Sequence, residues 1–284
     1  MEYLFLAIVC IANPLQNILT KRYNARAHGG ALLFGALSAL AACISFIVIN
    51  RDPSFSIGQL PYSIGFAVTY CMAVVFSILA IKCGPLATTN LIISCFLFIP
   101  TAYGVIFLKE PITLPLVIGL ALLVAALVMV NYQKNTETRP SVKWLIFAVL
   151  ACVGNGLCST VQKMNGIAYG ESGKNMFMIV ALAIVSVTLI VLTLASKDER
   201  NNLEHNFKIG WHIGAVRGVA NAVVNALVML LNTMLPVSVI FPVISATAMV
   251  IIFAYSTVVA KEKYTTVQKI GFIFGVVSIV LLNL

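Results

Sequence analysis

Apolar residues run along this chain in ten long blocks separated by short polar breaks, over about 2–20, 29–49, 60–81, 86–108, 113–132, 143–162, 174–195, 209–231, 236–260 and 265–283. Each block is close to the roughly 20 residues a helix needs to cross the hydrocarbon of a bilayer. The pattern predicts an all-α polytopic membrane protein with ten transmembrane helices. No break is long enough to hold a separate soluble domain. The first block lacks a basic leader and carries Asn13, Pro14, Gln16 and Asn17 where a cleaved signal would place small residues, so it is expected to be a retained helix.

The blocks repeat. KEPITLPLVIGLALLVAALVMVN (109–131) and KEKYTTVQKIGFIFGVVSIVLLN (261–283) share Lys109/Lys261, Glu110/Glu262, Thr113/Thr265, Ile118/Ile270, Gly119/Gly271, Val124/Val276, Val128/Val280 and Asn131/Asn283. CIANPLQNILTK (10–21) lies over CVGNGLCSTVQK (152–163), with Cys10/Cys152, Asn13/Asn155, Leu15/Leu157 and Lys21/Lys163 matched. The first helix therefore corresponds to the sixth, and the fourth and fifth to the ninth and tenth. A repeat of five helices is odd, so its second copy enters the membrane from the opposite side. Two inverted five-helix repeats are expected, 1–133 and 143–284, joined by a polar linker at 134–142 that contains Pro140.

Composition agrees with the membrane assignment. The chain is 61% hydrophobic and 10% charged, against about 25% charged in a soluble domain. Its net charge of +9 does not point to nucleic acid, because the basic residues stand at helix ends. Thirteen of the 18 Lys and Arg fall on the side of the 1–2, 3–4, 5–6, 7–8 and 9–10 loops, four fall on the other side, and Arg217 remains. The positive-inside rule then puts both termini outside the cell membrane. The seven cysteines form no CxxC pair and read as small buried hydrophobes, with neither metal nor cofactor implied.

Chemistry is expected where polar residues lie deep inside helices. Arg217 is the single charge well inside one. It sits about 12 Å into the block that starts at 209, at 1.5 Å per residue, where an unpaired charge costs several kcal/mol unless it faces a water-filled cavity. Asn221 and Asn225 follow at four-residue steps, which puts all three on one helical face. Asn13 and Asn17 share a face of the first helix beside Pro14, and Asn155 and Ser159 share one of the sixth beside Gly154 and Gly156. These matched weak points are the expected substrate-binding residues of an inverted-repeat carrier. Glu110 and Glu262 are expected to cap the helix that follows each of them, with Thr113 and Thr265 as N-caps. Lys21 and Lys163 are expected as headgroup anchors. Tyr70, Ser77, Thr89, Asn90, Ser94, Ser245 and Tyr255 are secondary candidates for the path.

The Glu-x-x-Thr corner followed by glycine, Glu110–Thr113 with Gly119 and Glu262–Thr265 with Gly271, resembles the drug/metabolite transporter superfamily in its EamA-like branch. The resemblance implies a multi-pass secondary carrier of the cytoplasmic membrane with its path between the two halves. It also implies cytoplasmic termini, against the charge count. Small multidrug-resistance proteins of that superfamily carry a glutamate in their first helix, and this chain has Asn13 near that depth. The expected function is alternating-access transport of a small polar or anionic metabolite, without enzymatic activity. A coupling ion or counter-substrate, and a monomer or a homodimer, remain open. Export of hydrophobic drugs, and an enzyme or flippase acting on a phosphorylated lipid headgroup, are the alternatives.

Overall fold

A computed structural model of the chain describes residues 2–50, 54–83, 89, 92–130, 141–170, 173–258 and 265–282. Among these there is no strand. The helices are α1 (Glu2–Asn24), α2 (Ala31–Ile49), α3 (Leu60–Cys83), α4 (Phe98–Phe107), α5 (Leu114–Val130), α6 (Val142–Tyr169), α7 (Lys174–Ala195), α8 (Leu203–Met234), α9 (Val237–Val258) and α10 (Thr266–Leu282). One-turn helices precede three of them, at Ile57–Gln59, Cys95–Leu97 and Lys197–Asn201. Six helices, α1, α2, α3, α6, α7 and α8, are long and apolar enough to cross a membrane, and four shorter apolar helices accompany them.

The outer surface is strongly apolar. Leu40, Ile44, Ile47 and Val48 of α2 are exposed at helical spacing, as are Val187, Ile190, Val191 and Leu194 of α7. Wide apolar stripes of this kind cannot be left in water, whereas helices satisfy their own backbone in lipid. The opposite faces build the core. Ala42, Cys43 and Phe46 of α2 meet Phe66 of α3, Phe177, Met178 and Leu182 of α7, and Ala222 and Met229 of α8. A second cluster joins Leu6 and Val9 of α1, Leu123 and Leu127 of α5, Leu231 of α8, and Ile240 and Phe241 of α9.

Small residues let the central helices touch through their main chains. A Cβ at Gly154 of α6 would sit 2.7 Å from the Ala73 nitrogen and 2.9 Å from the Thr69 oxygen of α3. Gly214 and Gly218 of α8 both face α2, where a Cβ on Gly218 would strike the Ser38 carbonyl. Close backbone approach of this kind substitutes for a hydrophobic driving force between membrane helices.

Several boundaries differ from the expected blocks. The sixth helix runs on from 162 to Tyr169 and the eighth spans Leu203–Met234 rather than 209–231. Both gain polar end turns that hydropathy alone does not count. Lys163 consequently lies inside α6 and is buried, where a headgroup anchor was expected; its Nζ donates to the Asn232 carbonyl of α8. The linker ends one residue early, because Ser141 caps α6 by accepting from the Trp144 amide at 3.2 Å. Residues 134–140 of that linker, Asn90, Lys261 and Glu262 lie outside the described residues, as does the Lys21 side chain.

Glu110 does not cap the helix that follows it. Thr113 does that, accepting from the Leu116 amide at 3.3 Å. The Glu110 carboxylate instead crosses to α9, accepting from the amides of Val237 and Ser238 at 2.9 Å each. Thr265 caps α10 as expected, in a reciprocal arrangement with Gln268.

Candidate functional site

A cavity of about 490 Å³ opens among α1, α2, α3, α6, α8 and α9. Its polar wall comes mainly from three helices. Asn13, Gln16, Asn17, Thr20 and Asn24 contribute from α1, Asn155, Ser159 and Gln162 from α6, and Arg217, Asn221 and Asn225 from α8. Its apolar wall is largely aromatic, with Phe34, Phe66, Tyr70, Phe96 and Phe241. The cavity gathers every residue expected from sequence to bind substrate: Arg217, Asn221, Asn225, Asn13, Asn17, Asn155 and Ser159. Of the secondary candidates, Tyr70 and Ser77 line it. Thr89 instead accepts from the Trp144 indole at 2.8 Å, outside the wall.

The side chains of the α1–α8 seam are held in a fixed order. Arg217 donates from Nε to the Thr20 hydroxyl at 3.0 Å, and Thr20 in turn donates to the Gln16 carbonyl at 2.8 Å. The guanidinium lies over the Phe34 ring, 5.6 Å from its centroid, a cation–π contact that is stronger out of water. Asn221 donates to the Gln16 amide oxygen at 3.0 Å, and Asn225 donates to Asn221 Oδ1 at 3.0 Å. Gln162 of α6 closes the series by donating to Asn225 Oδ1 at 3.3 Å. Gln16 and Gln162 are buried, so this amide chain is part of the protein's interior and not a solvated fringe.

Local causes set these positions. Arg217 lies about 21 Å along α8 from its first residue at 1.5 Å per residue, and the four-residue steps to Asn221 and Asn225 keep the three stacked on one side. Pro14 removes a backbone donor from α1 in the turn that carries Asn13 and Asn17. On α6, Asn155 donates to the Ala151 carbonyl at 3.0 Å and Ser159 to the Asn155 carbonyl at 3.4 Å, so both rest against their own helix.

Sequence reasoning found Tyr70 but missed Gln162 and the phenylalanines of the aromatic floor. Gln162 was legible, since the repeat aligns it with Thr20, and each bonds a polar residue of α8. The phenylalanines carried no signal, because a phenylalanine facing a cavity and one facing lipid are spelled alike.

No family model and no curated protein matches this chain. A solved structure described only as "Crystal structure of protein" superposes on it with a TM-score of 0.74, covering 99% of this chain and 95% of that one at 12% identity. The likeness shows a shared fold over nearly the whole length of both chains.

Proposed function

We propose that the chain is a secondary transporter that moves a small polar or anionic metabolite across the cell membrane by alternating access, as its resemblance to EamA-like drug/metabolite transporters implies. The observation that carries this reading is the cavity itself. It is a partly enclosed chamber with one polar wall inside an apolar helix bundle, and among the described residues the Arg217 guanidinium on that wall is paired to no carboxylate. Amides between membrane helices also hold those helices together, but a row of them beside a cavity-lining guanidinium is what a solute path requires.

The pairing of helices supports ten spans in two inverted repeats. α1 packs on α8 as α6 packs on α3, α2 on α8 as α7 on α3, and α1 on α9 as α6 on α4; α2 with α7 and α5 with α10 pair with their own counterparts. A five-element shift maps each of these contacts onto another or onto itself, the relation a two-fold axis between halves would produce, whereas the α9–α10 contact has no comparable counterpart between α4 and α5 among the described residues. The cavity's polar wall then draws on α1 and α6, which are equivalent, and on α8, whose counterpart α3 presents Phe66 and Tyr70 instead. Membrane orientation follows the excess of Lys and Arg, with both termini outside. The amide lining favours a polar solute over export of hydrophobic drugs.

The test is flux. Purified protein reconstituted into vesicles and offered a pool of small metabolites should change the vesicle contents, read by mass spectrometry. Arg217→Ala should insert normally and leave the contents like those of empty vesicles. Flux equal to the unmodified protein in that variant removes Arg217 from the path.

A further inference from the structure

Resting on the carrier reading, we propose that the solute is a carboxylic acid without an ammonium group, gripped by Arg217 and bearing a neutral hydrogen-bonding group deeper in the cavity. A guanidinium has five N–H donors. At Arg217 one is spent on Thr20, and no other hydrogen bond or ion pair engages the group among the described residues. Phe34 lies against the guanidinium, 5.6 Å from Cζ to the ring centroid, and Arg217 lines the chamber with its terminal nitrogens making no hydrogen bond to the described residues. Those nitrogens present the fork that takes a carboxylate through two parallel bonds. A cation inside an apolar span lacks a counter-charge until a ligand supplies one, so an anion gains more there than at a solvated surface.

The rest of the wall says what the anion is attached to. Asn221, Asn225, Gln16 and Gln162 already hold one another. Asn13 and Asn17 do not. Both line the cavity, and neither makes a side-chain hydrogen bond within the described chain. They stand about 10 and 4.5 Å along α1 from Thr20, by the rise of 1.5 Å per residue. A solute that anchors its carboxylate at Arg217 therefore meets open amide groups one to two helical turns further in. An amide both donates and accepts, which suits a hydroxyl, oxo or amide group. Between the two ends, Phe66 and Tyr70 of α3 offer a flat apolar face to the body of the molecule. Among the described residues no carboxylate lines the cavity, so an ammonium would enter beside Arg217 with no opposite charge to receive it.

Four probes with one body test this: 4-hydroxyphenylacetate, its neutral amide, tyramine and tyrosine, each titrated against purified protein in detergent by calorimetry. The acid should bind at least about tenfold tighter than its amide, and tyramine and tyrosine should bind more weakly than the acid. Arg217→Gln should bring acid and amide to similar affinity, while Arg217→Lys keeps part of the preference. Equal affinity for acid and amide in the unmodified protein overturns the proposal, as does tighter binding of tyramine or tyrosine, or no binding by any of the four. Each affinity series is paired with vesicle uptake of the same probe. Uptake of tyramine or the amide refutes the solute class and leaves the carrier standing. Tight binding of the acid without uptake refutes the carrier and leaves the class standing.

Discussion

The contact most exposed to a decisive test is the Glu110 cap on α9. Its carboxylate accepts two backbone amides at 2.9 Å at the positive end of a helix. Hydrogen bonds to a charged acceptor contribute about 1.5–3 kcal/mol each, and the helix end adds about 0.3–1 kcal/mol. Part of this is recovered when water reaches the freed amides, so Glu110→Ala should cost about 2–4 kcal/mol. The carboxylate fits because Gly104 of α4 lies beneath it. A Cβ there would strike Oε2 and sit 2.8 Å from the carboxyl carbon, and the nearest atoms it meets all belong to Glu110. Gly104→Ala should therefore push the cap aside, offset by about 1 kcal/mol of improved helix propensity, for a net loss of about 1–3 kcal/mol. In the Glu110→Ala background the three nearest atoms are gone, and the same substitution should become neutral or stabilising. Equilibrium unfolding in mixed micelles, followed by helical circular dichroism, measures the four corners of the cycle. A change of sign for Gly104→Ala is expected, with a coupling of about 2–4 kcal/mol. Additive losses would show that the cap does not hold α4, the corner and α9 together.

Other outcomes follow from single contacts. Gly154→Ala places a methyl against the main chain of α3, which cannot swing away, and should destabilise by about 1–3 kcal/mol in the same unfolding assay; Gly166→Ala, twelve residues on in the same helix and with open space around it, should instead gain up to about 1 kcal/mol. Phe34→Leu removes the ring beneath Arg217 and should weaken solute affinity by roughly 3- to 30-fold; because Phe34 is buried and stacked on Tyr23, it should also cost about 1–2 kcal/mol of stability. Thr265→Ala should cost about 1 kcal/mol through loss of the α10 cap, and Thr265→Ser should restore it.

Much of the helical plan was legible because an apolar run of bilayer length has few other uses. The polar face of α8 was legible for a similar reason, since Arg217, Asn221 and Asn225 recur at a helix's own period. What escaped was any relation that joins distant segments. Glu110 has a plausible partner close by in sequence, at the helix beginning with Leu114, yet it serves amides 127 and 128 residues away. Hydropathy also ends a helix where its apolar residues end, so Lys163 looked terminal although α6 continues through Tyr169. In each case the role expected from the local sequence was overturned by a tertiary neighbour.

Gly154 and Gly218 each stand next in sequence to a residue of the cavity wall, Asn155 and Arg217. One side of each helix is thus main chain on main chain, where almost no replacement is tolerated. The adjoining side faces open space, where a new side chain disturbs little. Substitution on such a helix can change the chamber wall while the scaffold stays put. Substitution is thereby confined to the chamber and the outer apolar surface, and the glycine seams mark where it stops.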